Sequence, residues 1–256
     1  MPAILAAIHG ILTSQTDPSW PDQLDAWMLR RDPGVKVLKK EYAAGPFPLW
    51  NCWFKDPRLA KALANEIELF LAPASLDTSH PSPSVWFVAH SNGAVIALLA
   101  AKRLIARGHK IGGLILTGAA CDADVGRNEV LEWWKSGMLG KAVAYSSAQD
   151  QVLNGDARYS ALHSQGWSAA RPTINQLRQW LWGKLMWPYG CLGRTGWLLN
   201  SKPISQSSNP FIRKSIFVRW FPGGHSGYFA RQNIEAAFEQ IYDDITLHSR
   251  ISSYSR

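Results

Sequence analysis

A serine, an aspartate and a histidine, in that chain order at Ser91, Asp150 and His225, are the residues whose types and surroundings could do chemistry together. A serine hydroxyl is a weak nucleophile until a base takes its proton, and the base works best when a carboxylate orients it. Ser91 lies in Ala89-His90-Ser91-Asn92-Gly93, between the apolar run Val85-Trp86-Phe87-Val88 and the helical run Val95 to Ile105. This reads as strand, sharp turn and helix, with the serine at the apex. Such a turn lifts the hydroxyl out of a sheet and puts the next N–H, that of Asn92, at a helix N-terminus. The general form is G-x-S-x-G, and here Ala89, with only a methyl group, takes the place of the first glycine.

The base is sought among seven histidines. His225 alone directly follows a strand-like run, in Trp220-Phe221-Pro222-Gly223-Gly224-His225, and its glycines let the loop fold back over a sheet edge. His9 heads the first loop, where a backbone N–H is the more useful group. His90 adjoins the serine, but side chains of neighbours on a tight turn point apart. It is expected to pack or hydrogen-bond beneath the elbow. For the carboxylate, Asp150 stands a short loop after Ala142-Val143-Ala144-Tyr145. Asp122 and Asp124 are the alternatives after the preceding strand, and Asp156 is a weaker one. An oxyanion hole needs two N–H groups aimed at developing charge. Asn92 offers one. The turn His9-Gly10-Ile11-Leu12 offers the second, assigned to Ile11 with Leu12 in reserve.

The elements that must position these residues follow in order. Ala3 to Ile8 is an apolar run suited to a central parallel strand. Ser19-Trp20-Pro21-Asp22 opens a helix that Asp32-Pro33-Gly34 stops. Val35 to Leu38 reads as a strand nearer an edge, because a lysine interrupts it. Ala43 to Phe54 reads as a loop carrying Trp50 and Trp53. A helix from Asp56 should present Leu59, Leu63, Ile67 and Leu69-Phe70 before Pro73. After the elbow helix, Gly112-Gly113 reads as punctuation before a strand at Leu114 to Thr117. A short helix near Glu129 to Lys135, a strand at Ser215 to Trp220 and a last helix from about Ala230 to Ile245 complete the pattern. Strands alternating with helices predict a parallel α/β sheet of six strands.

One stretch, about 157–210, breaks the alternation. It holds five tryptophans (Trp167, Trp180, Trp182, Trp187 and Trp197) and a helical piece near Thr173 to Leu185. It reads as an insertion over the carboxyl edge of the sheet, where ligand crevices of parallel sheets lie. Such a segment could cap an apolar pocket, or its tryptophans could simply fill a core.

At 256 residues the chain can bury a full core as a single domain, 1–256, carrying that insertion. It has 27 Lys plus Arg against 19 Asp plus Glu, but the basic residues are scattered, which argues against a nucleic-acid surface. Three separated cysteines without C-x-x-C indicate neither a disulfide framework nor a zinc site. No run approaches the ~18 apolar residues of a membrane span, and the N-terminal run reads as a strand and not as a signal peptide. A cytoplasmic, soluble protein is expected. Oligomeric state is not legible.

Together, His9-Gly10, the Ala89-to-Gly93 elbow, Asp150 and Gly224-His225 resemble the α/β-hydrolase superfamily, whose serine, acid and histidine follow in this order. The resemblance covers most of the chain and implies a sheet lacking that superfamily's first two strands. It also places the usual cap before the acid, whereas the insertion here follows Asp150; if the long segment supplies the lid in another way, Asp122 or Asp124 is the residue that orients His225. The activity implied is hydrolysis of a small-molecule carboxylic ester through an acyl-enzyme on Ser91, with no metal or organic cofactor. The tryptophans favour an apolar or aromatic substrate. A thioester or lipid ester comes next, and a non-catalytic homologue that binds a ligand in the cleft is the competing class.

Overall fold

The computed structural model describes residues 3–10, 19–41, 51–76, 83–150, 152–153 and 190–254. Its organising feature is the alternation of side chains along buried strands. In Ala3–Ile8 (β1), Ile4, Ala6 and Ile8 face one apolar layer, while Ala3, Leu5 and Ala7 face another. Ser84–His90 (β3) splits in the same way, with Val85, Phe87 and Ala89 on one side and Trp86 and Val88 on the other. A strand apolar on both sides must be covered on both sides, as parallel sheets are.

With Val35–Lys40 (β2), Ile111–Thr117 (β4), Leu139–Ser146 (β5) and Ile216–Trp220 (β8), these strands form one sheet in the order β2-β1-β3-β4-β5-β8, every pair parallel. The lysine-bearing β2 is an edge strand, as its composition predicts. One face is covered by Asp56–Leu76 (α2), Gly93–Ala106 (α3) and the short helix Val130–Lys135 (α4). The other is covered by Trp20–Arg31 (α1) and Ile234–Tyr254 (α7). This is the six-stranded α/β-hydrolase fold that the resemblance implies. The chain runs from β1 out to β2, then returns to β3 on the opposite side of β1. That reversal opens a crevice past the carboxyl ends of β1 and β3, where open α/β sheets bind ligands. His9-Gly10 and Ser91 stand there.

Several local readings are corrected. Gly112 and Gly113 do not interrupt the chain before β4 but belong to it. They lie under Trp86, whose indole nitrogen would be 2.5 Å from a Cβ at Gly112, so the strand needs glycine where a large ring covers it. Leu69 faces solvent, 74% exposed, and the buried stripe of α2 is Ala60, Leu63, Ala64 and Ile67. That helix also continues through Pro73 to Leu76, and one π-helical turn, Asn51–Lys55, precedes it. The last helix begins at Ile234, after a short 3-10 turn at Gly227–Phe229.

Of the tryptophan-rich stretch, residues 190–210 are described. Trp167, Trp180, Trp182, Trp187 and the helix expected near Thr173 to Leu185 lie outside the described residues, as does Asp156. Trp197 is fully buried in the apolar layer on the α2–α3 face of the sheet and fills the core there. The helical turn Leu192–Thr195 (α5) lies across the loop after β4, where the Gly193 N–H donates to Ala119 O at 2.8 Å. A short antiparallel pair follows, Leu198–Leu199 (β6) with Lys202–Pro203 (β7), and then a helix at Pro210–Ser215 (α6).

Candidate active site

Ser91 has φ 55°, a left-handed conformation that costs a non-glycine residue about 1–2 kcal/mol. The turn is held from both sides. The Ser91 N–H donates to Thr117 O at 3.1 Å, and Ser91 O accepts from Ala120 N at 3.0 Å and Ala94 N at 3.2 Å. Close approach explains the neighbouring glycines. A Cβ at Gly93 would stand 2.6 Å from His9 O, and one at Gly10 would stand 2.7 Å from the Ser91 Cβ. The loop after β1 therefore lies against the elbow only because both positions lack a side chain.

His225 meets Ser91 across 134 residues of chain and Asp150 across 75. His225 Nε2 lies 2.9 Å from Ser91 Oγ, and His225 Nδ1 lies 2.8 Å from Asp150 Oδ2. A carboxylate only accepts, so Nδ1 carries the proton. Nε2 is then left with the lone pair that a base needs, and the hydroxyl of Ser91 donates to it. Asp150 is fully buried, and its second oxygen accepts from Leu153 N at 3.1 Å. The two loops are tied together as well. Gly223 N donates to Gln149 Oε1 at 3.2 Å, and Ser147 Oγ donates to Gly223 O. Arg194, on α5, donates to the Asp150 carbonyl at 2.8 Å, so the end of the tryptophan-rich stretch fastens onto the acid's own loop.

Asp122 and Asp124 are placed elsewhere. Asp122 Oδ1 accepts from Asp124 N at 2.9 Å, and Asp124 Oδ1 accepts from Gly126 N at 3.0 Å. Both are turn-forming carboxylates, and His225 turns to Asp150.

No model of a protein family matches the chain, and none of the curated proteins searched does. Solved structures do resemble it in path. The NocB thioesterase domain, in covalent complex with a fluorophosphonate nocardicin G analog, is 12% identical over 96% of this chain and 95% of its own, with a TM-score of 0.44. The RedJ thioesterase from the prodiginine biosynthetic pathway of Streptomyces coelicolor is 14% identical over 95% and 90%, with a TM-score of 0.43. Human thioesterase 2 is 12% identical over 97% and 98%, with a TM-score of 0.41. At these values none of them carries chemistry over to this chain.

The electrostatics come from the site's own atoms. Burial, with the neighbouring His225 adding to it, lowers His90 to about 3. Burial likewise lowers His9, against an opposing pull from Glu41. Both rings are therefore neutral beside the serine. A cation in either place would oppose the positive charge that His225 takes up when it accepts a proton.

Two further points concern the oxyanion side. Asn92 caps α3, and its side-chain Nδ2 donates to both carboxylate oxygens of Asp56, at 3.2 and 3.3 Å. Asp56 is fully buried at the start of α2, so it ties that helix to the residue that follows Ser91. Sequence reasoning saw in Asp56-Pro57 only a helix start. With Lys55 and Arg58 beside it in sequence, Asp56 gave no sign of a partner as far away as Asn92. The second expected donor, Ile11, and its reserve, Leu12, lie outside the described residues. Among the described residues no group of three or more His, Cys, Asp or Glu is placed to hold a metal ion. Nor is any helix long and apolar enough to cross a membrane.

Proposed function

We propose that the protein is a serine hydrolase of carboxylic esters, with Ser91 as nucleophile, His225 as general base and acid, and Asp150 as the orienting carboxylate. One observation carries the reading: an unbroken line of hydrogen bonds, Ser91 Oγ to His225 Nε2 and His225 Nδ1 to Asp150. A binding protein needs none of that alignment. In the first step Ser91 Oγ attacks the ester carbonyl as His225 takes its proton. The oxyanion rests on the N–H groups of Asn92 and Ile11, and His225 returns the proton to the departing alkoxide. Water then attacks the acyl-enzyme by the same proton path and frees the acid. Each oxyanion donor is worth about 3–4 kcal/mol of barrier by analogy with measured cases. Both neutral histidines serve this cycle by leaving the one imidazolium without a competing cation.

The substrate favoured is an ester with an apolar or aromatic part. A thioester would follow the same proton path. A fluorophosphonate probe tests the nucleophile: wild type is expected to label and Ser91→Ala to remain unlabelled. Equal labelling of both, or none of either, would sink the hydrolase reading. A series of p-nitrophenyl esters from acetyl to palmitoyl then fixes the acyl preference.

A further inference from the structure

Beneath the Ser91–His225 contact lies a hydrogen bond that the proton path does not use. His90 Nε2 is 3.0 Å from the backbone carbonyl of His225, and the two rings are 5.0 Å apart between centroids. We propose that His90 is a positioning residue, which fixes the catalytic imidazole over Ser91 by donating its Nε2–H to the carbonyl of His225. This rests on the assignment of His225 as the base.

The geometry makes the contact specific. After β8 ends at Trp220, the chain runs through Pro222-Gly223-Gly224, a stretch with little stiffness of its own. Its anchors to β5 and the acid loop act before His225, at Phe221 and Gly223. Among the described residues, the backbone of His225 itself is held through its carbonyl, by His90. Gly118 makes the approach possible. It has φ 49°, and a Cβ there would lie 2.7 Å from His225 O and 3.4 Å from both His90 Nε2 and His225 Nδ1. The loop after β4 thus leaves a gap of one side chain, through which the elbow strand reaches the base.

The chemistry of His90 agrees. A carbonyl only accepts, so Nε2 must carry the proton and Nδ1 is left as a bare acceptor. That Nδ1 is buried and has no partner among the described residues. An orphaned acceptor destabilises the fold, and an apolar residue of similar shape would avoid it. The surroundings are built for a ring, with Phe229 edge-on at 5.6 Å and His9 edge-on at 6.2 Å. Phenylalanine would satisfy the packing. Among the described residues histidine adds only the donor, and the donor is what His225 uses. The groups that face it, His9, His225 and Asp150, come from the loops after β1, β8 and β5. His90 is kept uncharged among them by burial.

The test compares His90→Phe, which keeps the ring and loses the donor, with His90→Gln, which returns an N–H near the place of Nε2. His90→Leu serves where the phenylalanine variant does not fold. An imidazole displaced by about 1 Å loses on the order of 10²-fold in rate. His90→Phe should therefore lower kcat by about 10²-fold with KM nearly unchanged, and speed amide hydrogen exchange at Gly223 to Gly227. His90→Gln should recover most of both. Wild-type kcat and exchange in His90→Phe would overturn the proposal. So would a His90→Gln variant no better than His90→Phe, since the returned N–H would then restore nothing. If the wild type turns over no ester and takes no fluorophosphonate, the hydrolase reading fails. The exchange comparison still decides the clamp.

Discussion

Two buried aspartates share the strand pair β5–β8, and they are held in opposite ways. Asp244, on α7, lies over the face of that pair, where Tyr145 and Arg219 are register neighbours. Its Oδ1 accepts from Lys141 Nζ and Arg219 Nη2, both at 2.7 Å. Its Oδ2 accepts from Arg219 Nε at 2.9 Å and Tyr145 OH at 3.0 Å. Asp150 lies beyond the carboxyl end of the same strands and accepts from one backbone N–H and one histidine. The difference is in the partners. Asp244 is saturated by a lysine, an arginine and a phenol, and its network serves to hold the last helix on the sheet. In the proposed cycle the partner of Asp150 gains and loses a proton, and a carboxylate with few other bonds can strengthen its hold when the imidazolium forms. Burial alone marks neither as functional. Under the proposed mechanism the titratable partner does.

The comparison breaks most visibly on activity. Asp150→Asn keeps the shape but offers Nδ1 an amide, which favours the wrong tautomer of His225. A fall in kcat of about 10⁴-fold is expected from the same change in another serine triad, or about 5.5 kcal/mol of barrier. Its melting temperature should move far less than that of Asp244→Asn. Steady-state kinetics with a p-nitrophenyl ester beside thermal unfolding reads both. A mild kinetic effect would reassign the orienting carboxylate.

Asp244→Asn is the mirror experiment. It leaves Lys141 and Arg219 facing a neutral amide, and breaking a buried pair from one side costs roughly 3–5 kcal/mol. Urea unfolding should show that loss, while kcat per folded molecule stays within about twofold. The pH dependence has a definite sign. Burial raises the carboxyl, but hydrogen bonds from Arg219 and Lys141 outweigh it, so Asp244 titrates below its ordinary value. Its contribution is therefore complete above the unfolded carboxylate value and is lost as pH falls beneath it. If Asp244→Asn abolished turnover without loss of stability, the division between holding and reacting would collapse.

This pair also separates what the sequence could tell from what it could not. Ser91, Asp150 and His225 each follow an apolar run closely, so chain order alone places them at one sheet edge. Asp244 gives no such sign, because Lys141 and Tyr145 are 103 and 99 residues away and nothing local pairs with it. Asp56 was opaque for the same reason, its partner Asn92 being 36 residues off. Gly112-Gly113 misled because glycines punctuate chains in general, and only the ring of Trp86, brought over them by strand pairing, makes them strand residues. Leu69 was assigned inward by type, although the buried stripe of α2 passes beside it. Signals within one element were legible. Those created by packing two elements together were not.

A smaller effect sharpens the electrostatic side. His90 titrates at about 3 in the folded chain, below its ordinary 6.5. The unfolded chain thus binds more protons between those values, and the stability His90 contributes is complete above about pH 6.5 and lost as pH falls. The slope approaches ~1.4 kcal/mol per pH unit well inside that window. His9, lowered in the same direction, adds to it. Unfolding free energy measured from pH 7.5 to 4.5 should show this limb above the range in which Asp244 acts, and His90→Gln should flatten it. An unchanged limb would mean that His90 is not held neutral.

The smallest expected effect belongs to the two aspartates that compete with Asp150 on sequence grounds. Asp122 and Asp124 each accept a backbone N–H two residues ahead, and Arg127 lies 3.6 and 3.9 Å from them at a well-exposed position. A turn bond of that kind contributes about 0.5–1.5 kcal/mol, and an exposed ion pair contributes under about 1 kcal/mol. Asp122→Asn and Asp124→Asn keep an oxygen that can accept the same N–H, so each should lose less than about 1 kcal/mol of stability and leave kcat unchanged. Asp124→Asn is the stricter of the two, because Asp124 is the more buried and its segment bridges to Leu198 at the end of the tryptophan-rich stretch. A kcat loss there comparable with that of Asp150→Asn would show that the loop after β4 supplies the orienting carboxylate. The contrast between a reacting and a holding aspartate would then have to be drawn between β4 and β8.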